Sequence, residues 1–149
     1  MSPDNGRTWR DPGGRTNGRH TAFALLSDGR ILGMGGKNSQ TDGYMPRSLS
    51  SDGGRTWQYG KTPFPPLASV QRPTLVKLKS GRLFFAGDLQ SSTGEQPAGL
   101  AIASQGGVPL TGRGSYVAWS DDDGATWTAK RLPGTEPNEE TARAARMAG

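Results

Sequence analysis

One eight-residue pattern, Ser-x-Asp-x-Gly-x-Thr-Trp, constrains this chain more than anything else in it. It occurs three times, as Ser2 to Trp9, Ser50 to Trp57 and Ser120 to Trp127. Five fixed positions recurring three times within 149 residues point to a structural unit used repeatedly. The residue types suggest what the unit is. Asp and Ser oxygens can accept hydrogen bonds from backbone N–H groups of a tight turn. Gly supplies a positive φ that a Cβ would oppose. Trp is a large apolar plate able to pin a turn to a core, and its indole N–H needs an acceptor. Asp4, Gly6 and Trp9, with Asp52, Gly54 and Trp57 and with Asp122, Gly124 and Trp127, therefore read as structural residues of hairpin bends, not as catalytic groups.

Composition supports many turns joined by short strands. Only 32% of residues are hydrophobic, while 23 Gly and 11 Pro are present. Such values border on the disordered range, but three Trp-bearing repeats and two apolar strand pairs favour a turn-rich fold. The net charge of +5 raises nucleic acid as a partner. Its distribution argues against one, because Arg7, Arg15, Arg30, Arg55 and Arg82 each follow a glycine and no basic run exceeds two residues. With no cysteine, disulfides and thiolate metal sites are excluded. No metal or cofactor is expected. No stretch has the apolar length of a membrane span, and the first residues lack the charged lead and hydrophobic run of a signal peptide.

Taken in order, residues 1–15 read as the end of a truncated unit carrying the first octet. Residues 16–62 form a complete unit. Thr21 to Leu26, an Asp28-Gly29 turn, and Arg30 to Met34 predict a hairpin. A third strand follows from about Tyr44 to Ser50, and a fourth begins at Trp57. The nearly continuous apolar residues of the hairpin predict strands covered on both faces. After Pro63 to Pro66 the unit recurs over 67–132, with Pro73 to Leu78 and Arg82 to Gly87 as its hairpin. Ser115 to Trp119 and Trp127 to Leu132 complete it. From Gly29 to Asp52 is 23 residues and from Gly81 to Asp122 is 41, so the second unit carries 18 more, placed near 88–114. Residues 133–149 read as a frayed tail with a short helix from Asn138.

Four-stranded antiparallel units of this length match the blades of a β-propeller, because a single blade cannot bury both its faces. The octet resembles the Asp-box, or BNR repeat, of sialidases and related six-bladed propellers, and the resemblance covers residues 1–132. It implies an all-β fold of which about two blades and a remnant are present, with the octets on the rim away from any active site. Uncovered sheet faces would then need further blades or self-association. It also implies a glycan partner, a sialoside or a related sugar, and a secreted or periplasmic location. Asp-boxes occur in non-catalytic propellers too, so a module binding glycan or protein is the alternative.

Sialidases use an arginine cluster to hold the substrate carboxylate by bidentate bonds. A Tyr assisted by Glu acts as nucleophile, and an Asp as acid/base. The first arginine stands in an Arg-Ile-Pro motif at an inner-strand start. Here Arg19-His20-Thr21 keeps the Arg without the Ile-Pro, while Gln71-Arg72-Pro73 sets an Arg beside Pro. The resemblance implies substrate binding by Arg19 and Arg72 and acid/base service by Asp42, in the loop before the third strand. Asp88, in the corresponding loop of the second unit, joins the substrate-binding candidates. The remaining arginines, the Tyr and the Glu have no match, so the chain alone is expected to be inactive. His20 has no partner at metal or triad spacing, Tyr44 and Tyr116 fit sheet roles, and Gly33 to Lys37 lacks the spacing of a phosphate loop.

Overall fold

The computed structural model describes residues 1–35, 40–66, 72–89, 103–104 and 114–135. Among them the fold is all-β and consists of two sheets. The first is an antiparallel meander of β1 (Ala22–Leu25), β2 (Ile31–Met34), β3 (Pro46–Ser50) and β4 (Gln58–Lys61) in sequence order. The second contains β5 (Thr74–Lys77), β6 (Leu83–Leu89), β8 (Gly114–Ser120) and β9 (Thr128–Arg131), also antiparallel. A two-residue strand, β7 (Ala103–Ser104), pairs in parallel with the outer edge of β9. Among the described residues neither sheet closes into a barrel, and the pair is consistent with two blades of a propeller.

Strand positions follow the sequence pattern closely. Asp28-Gly29 turns the chain between β1 and β2, and Gly81 does the same between β5 and β6, both glycines lying at positive φ. The octets join β3 to β4 and β8 to β9. Two expectations need correction. The first hairpin is covered on one face only: Ala24 and Leu32 are buried, whereas Phe23 and Leu25 are 51% and 61% exposed. Asp88 is not in a loop. It lies within β6, opposite Ser115, because the β6–β8 ladder runs through seven residue pairs and carries the strand past the point where β2 ends. The insertion also supplies β7, a strand that no periodicity announced. Residues 136–149, where a frayed helix is expected, lie outside the described residues.

A single core lies between the sheets. Pleat alternation puts Ala24, Leu32 and Met34 on one face of the first sheet and Leu75, Leu83, Phe85, Tyr116, Ala118 and Ala129 on one face of the second. These side chains form one buried cluster with Leu26, Met45, Phe64 and Trp127. Phe64, from the connection between the sheets, is fully buried. Its ring stacks on Phe85 at 4.6 Å and meets Trp127 edge-on at 5.2 Å, offset and T-shaped arrangements that aromatic rings favour. Close approach fixes the inner ends. A Cβ on Gly35 would stand 2.6 Å from Pro73 Cγ, so the exit of β2 touches the start of β5.

Among the described residues, no strand flanks the first octet. The segment after it lies across the second octet: a Cβ on Gly14 would stand 2.2 Å from the Gly54 carbonyl oxygen, so only glycine fits there. Asn17 N–H donates to the buried Ser48 Oγ at 2.9 Å, and Tyr59 OH donates to the Arg15 carbonyl at 2.7 Å.

Candidate functional site

The octets resolve into one hydrogen-bond circuit made three times. In the second, Ser50 Oγ donates to Asp52 Oδ1 at 2.9 Å and accepts Gly54 N–H at 2.8 Å. Asp52 also accepts Thr56 N–H at 2.9 Å and Thr56 Oγ1 at 2.6 Å. Trp57 Nε1 donates to the Gly54 carbonyl at 3.1 Å. The first and third octets repeat each bond, down to the 3.1 Å indole contact. The fourth position, Asn5, Gly53 or Asp123, adopts a left-handed φ of 57°, 70° or 54°, as does the glycine after it. Asn, Gly and Asp are the residues that tolerate this region best.

The circuit binds the ionised carboxylate, so it depresses the carboxyl pKa. The Thr56 hydroxyl and then its backbone N–H hold Asp52 at about 2. Asp4 is lowered chiefly by Thr8 N–H, and Asp122 chiefly by the Thr126 hydroxyl. These carboxylates spend their acceptor capacity on their own turn. They hold the bend and have little left for a ligand.

The four residues singled out from the sialidase resemblance lie at the opposite ends of the strands. Arg19 precedes β1, Arg72 precedes β5, Asp42 lies between β2 and β3, and Asp88 is near the end of β6. The Gly35–Pro73 contact makes the Arg19 and Arg72 ends neighbours. Both arginines are exposed, and no carboxylate pairs with either among the described residues. Asp42 is a different case. With φ of 51° and 82°, Asp42 and Gly43 form the two-residue turn closing the Thr41–Tyr44 bridge. The Asp42 side chain is 73% exposed and meets Lys61 Nζ at 3.1 Å. Lys61 Nζ in turn lies 5.1 Å from the centre of the Tyr44 ring. Turn geometry and this ion pair account for Asp42. No hydrogen bond or ion pair joins Arg19, Arg72 and Asp42 to one another among the described residues.

Sequence reasoning passed over a fifth residue, a cation. Arg47 lines a cleft of about 160 Å³ between the sheets, with Leu32 and Met34 as floor and Thr126 and Trp127 opposite. Its guanidinium lies along Gly60, its cross-strand partner. Alternation along β3 could have placed Arg47 on the inner face, but only the fold shows that the gap is there. Among the described residues, Arg19, Arg72 and Asp42 do not line it. Among the described residues, no group of three His, Asp or Glu side chains could hold a metal ion.

No family model matches the chain, and no curated protein does. Among solved structures, the chain is similar to the crystal structure of a protein of unknown function from Dyadobacter fermentans DSM 18053, at 18% identity and a TM-score of 0.46. That alignment covers 92% of this chain, which spans 38% of the length of the matched structure.

Proposed function

We propose that this chain is part of a sialidase-like Asp-box propeller whose strand-start end holds an anionic sugar, and that the 149 residues bind without cleaving. One observation carries the reading: Arg19 and Arg72 stand exposed at neighbouring strand starts and no carboxylate pairs with either among the described residues, opposite the ends where the octets use up their own. An exposed guanidinium at such a place suits bidentate capture of a carboxylate, the acidic group of a sialoside. Hydrolysis needs more. A general acid must reach the glycosidic oxygen, and a nucleophile must stand across the sugar from it. Asp42, turned outward against Lys61, fits its turn better than that task, and no Tyr–Glu pair stands beside the arginines among the described residues.

Saturation-transfer NMR with sialyllactose tests the proposal. Binding is expected in the millimolar range, weakened about tenfold by Arg19→Ala or Arg72→Ala, the factor that about 1.4 kcal/mol represents. Neutral lactose is expected to give no signal. A fluorogenic sialoside is expected to stay intact with the wild-type chain and with Asp42→Ala alike. Equal signals from sialyllactose and lactose, or turnover that Asp42→Ala abolishes, would overturn the proposal.

A further inference from the structure

The two sheets are repeats of one another, so each face of one has a counterpart on the other. Aligning Gly29 with Gly81, and Asp52 with Asp122, matches the faces residue by residue. The first sheet turns Ala24, Leu26, Leu32 and Met34 onto the second, at exposures of 6%, 4%, 3% and 1%. Their counterparts on the second sheet are Val76, Leu78, Phe84 and Ala86. These are open: Val76 and Leu78 are 44% and 42% exposed, and Phe84 and Ala86 are half-buried. Trp119, the counterpart of Leu49, completes the row beside Phe84 and is half-buried as well.

The relation also runs the other way. The second sheet receives the first on Leu75, Leu83 and Ala129, which are 8%, 0% and 0% exposed. Their counterparts on the first sheet are Phe23, half-buried Ile31 and Tyr59, with Phe23 and Tyr59 at 51% and 60%. The chain thus bears a donor face on its second sheet and an acceptor face on its first, each the repeat of a face already buried in the intrachain joint. Residues 10–17 lie across part of the acceptor face, over the second octet and β3–β4. The connection bearing Phe64 occupies the intrachain gap in a similar way, so this segment leaves room for a sheet. Phe23 and Leu25 remain bare beside it.

We infer that the chain associates head to tail with a second copy of itself, the Val76–Phe84–Trp119 face of one copy seating on the Phe23–Leu25–Tyr59 face of the next. The joint is heterologous, so it closes into a ring or grows, according to the rotation between copies. It is weaker than the intrachain joint. There, Asp123 accepts Ser27 N–H and Oγ at 3.1 Å, and Lys77 Nζ donates to Ser27 Oγ at 2.9 Å. Between copies the counterparts are Gly53, Lys79 and Leu25, which cannot rebuild that clamp.

Sedimentation velocity on the full chain and on two surface variants tests this inference. Wild type is expected to rise from 15.8 kDa to multiples of that mass as concentration increases. Leu25→Glu spoils only the acceptor face and Val76→Glu only the donor face, so each alone is expected to stay monomeric. Mixed in equal amounts, they retain one good face each and are expected to give a single 1:1 dimer that grows no further. Circular dichroism checks that the variants keep the wild-type fold, and Leu25→Thr with Val76→Thr repeats the test with a milder change. A wild type that stays monomeric at every concentration overturns the inference. So does a mixture that stays monomeric, or a single variant that still associates, since that would mean like faces pairing.

Discussion

The first and third octets have the same five residues and the same bonds, yet their tryptophans could hardly differ more. Trp9 is 76% exposed and Trp127 is 4% exposed. Trp57, in the second octet, lies between them, packed on Phe23 at 5.8 Å. In all three the indole N–H reaches the octet glycine carbonyl at 3.1 Å. The circuit is therefore local, and it closes whether or not a core lies beneath it. Tryptophan burial is a separate matter, supplied by whichever sheet packs against the turn. The octet shapes the bend. Its contribution to stability comes from its neighbours.

This contrast can be broken by experiment. The largest effect is expected from Trp127→Ala, which removes a ring packed against Phe64 and Phe85 and should cost about 3–5 kcal/mol in denaturant unfolding. Trp57→Ala should cost about 1–2 kcal/mol, since its ring is only partly covered. Trp9→Ala should stay within about 0.5 kcal/mol, as for an exposed site. Equal losses at Trp9 and Trp127 would show that the circuit alone carries the stability.

The carboxylates sharpen the same contrast more gently. Asp122→Ala should lower the melting temperature measurably, because it strips acceptors from Thr126 and Ser120 beside the core. Asp4→Ala should lower the melting temperature less and speed amide exchange at Thr8. With acid, the sign follows from pKa values that are lower folded than unfolded. The stabilisation from Asp52 is present above its ordinary value near 4 and is lost as pH falls through about 2. Carboxyl NMR titration should find Asp4, Asp52 and Asp122 all depressed. Asp122→Ala and Asp4→Ala should each flatten the acid limb of the stability curve, since both carboxyls are depressed by the folded turn.

The sequence made the turns legible because their chemistry is compressed into eight residues. Strand positions followed, since the second and third octets each join two strands and Asp28-Gly29 and Ser80-Gly81 mark the hairpins. What eluded the sequence depends on distant partners. That Phe23 and Leu25 face outward while Ala24 does not is set by which face the second sheet occupies, and a run such as Ala-Phe-Ala-Leu cannot reveal that. β7 depends on β9 for its pairing and has no periodicity of its own in two residues. Asp88 read as a loop residue because nothing in Gly87-Asp88-Leu89 says that β8 extends far enough to hold it. Arg47 was overlooked because a lone arginine in a strand looks like surface until the gap beside it is seen.

A turn that fastens itself frees the chain on either side of it. The span from hairpin glycine to octet aspartate is 18 residues longer in the second sheet (Gly81 to Asp122) than in the first (Gly29 to Asp52), yet the octets that follow close with matching bonds. Length can thus be added between these strands without disturbing the bend downstream. The β6–β8 connection is accordingly the place where a foreign loop could be grafted into this scaffold with least harm to its folding.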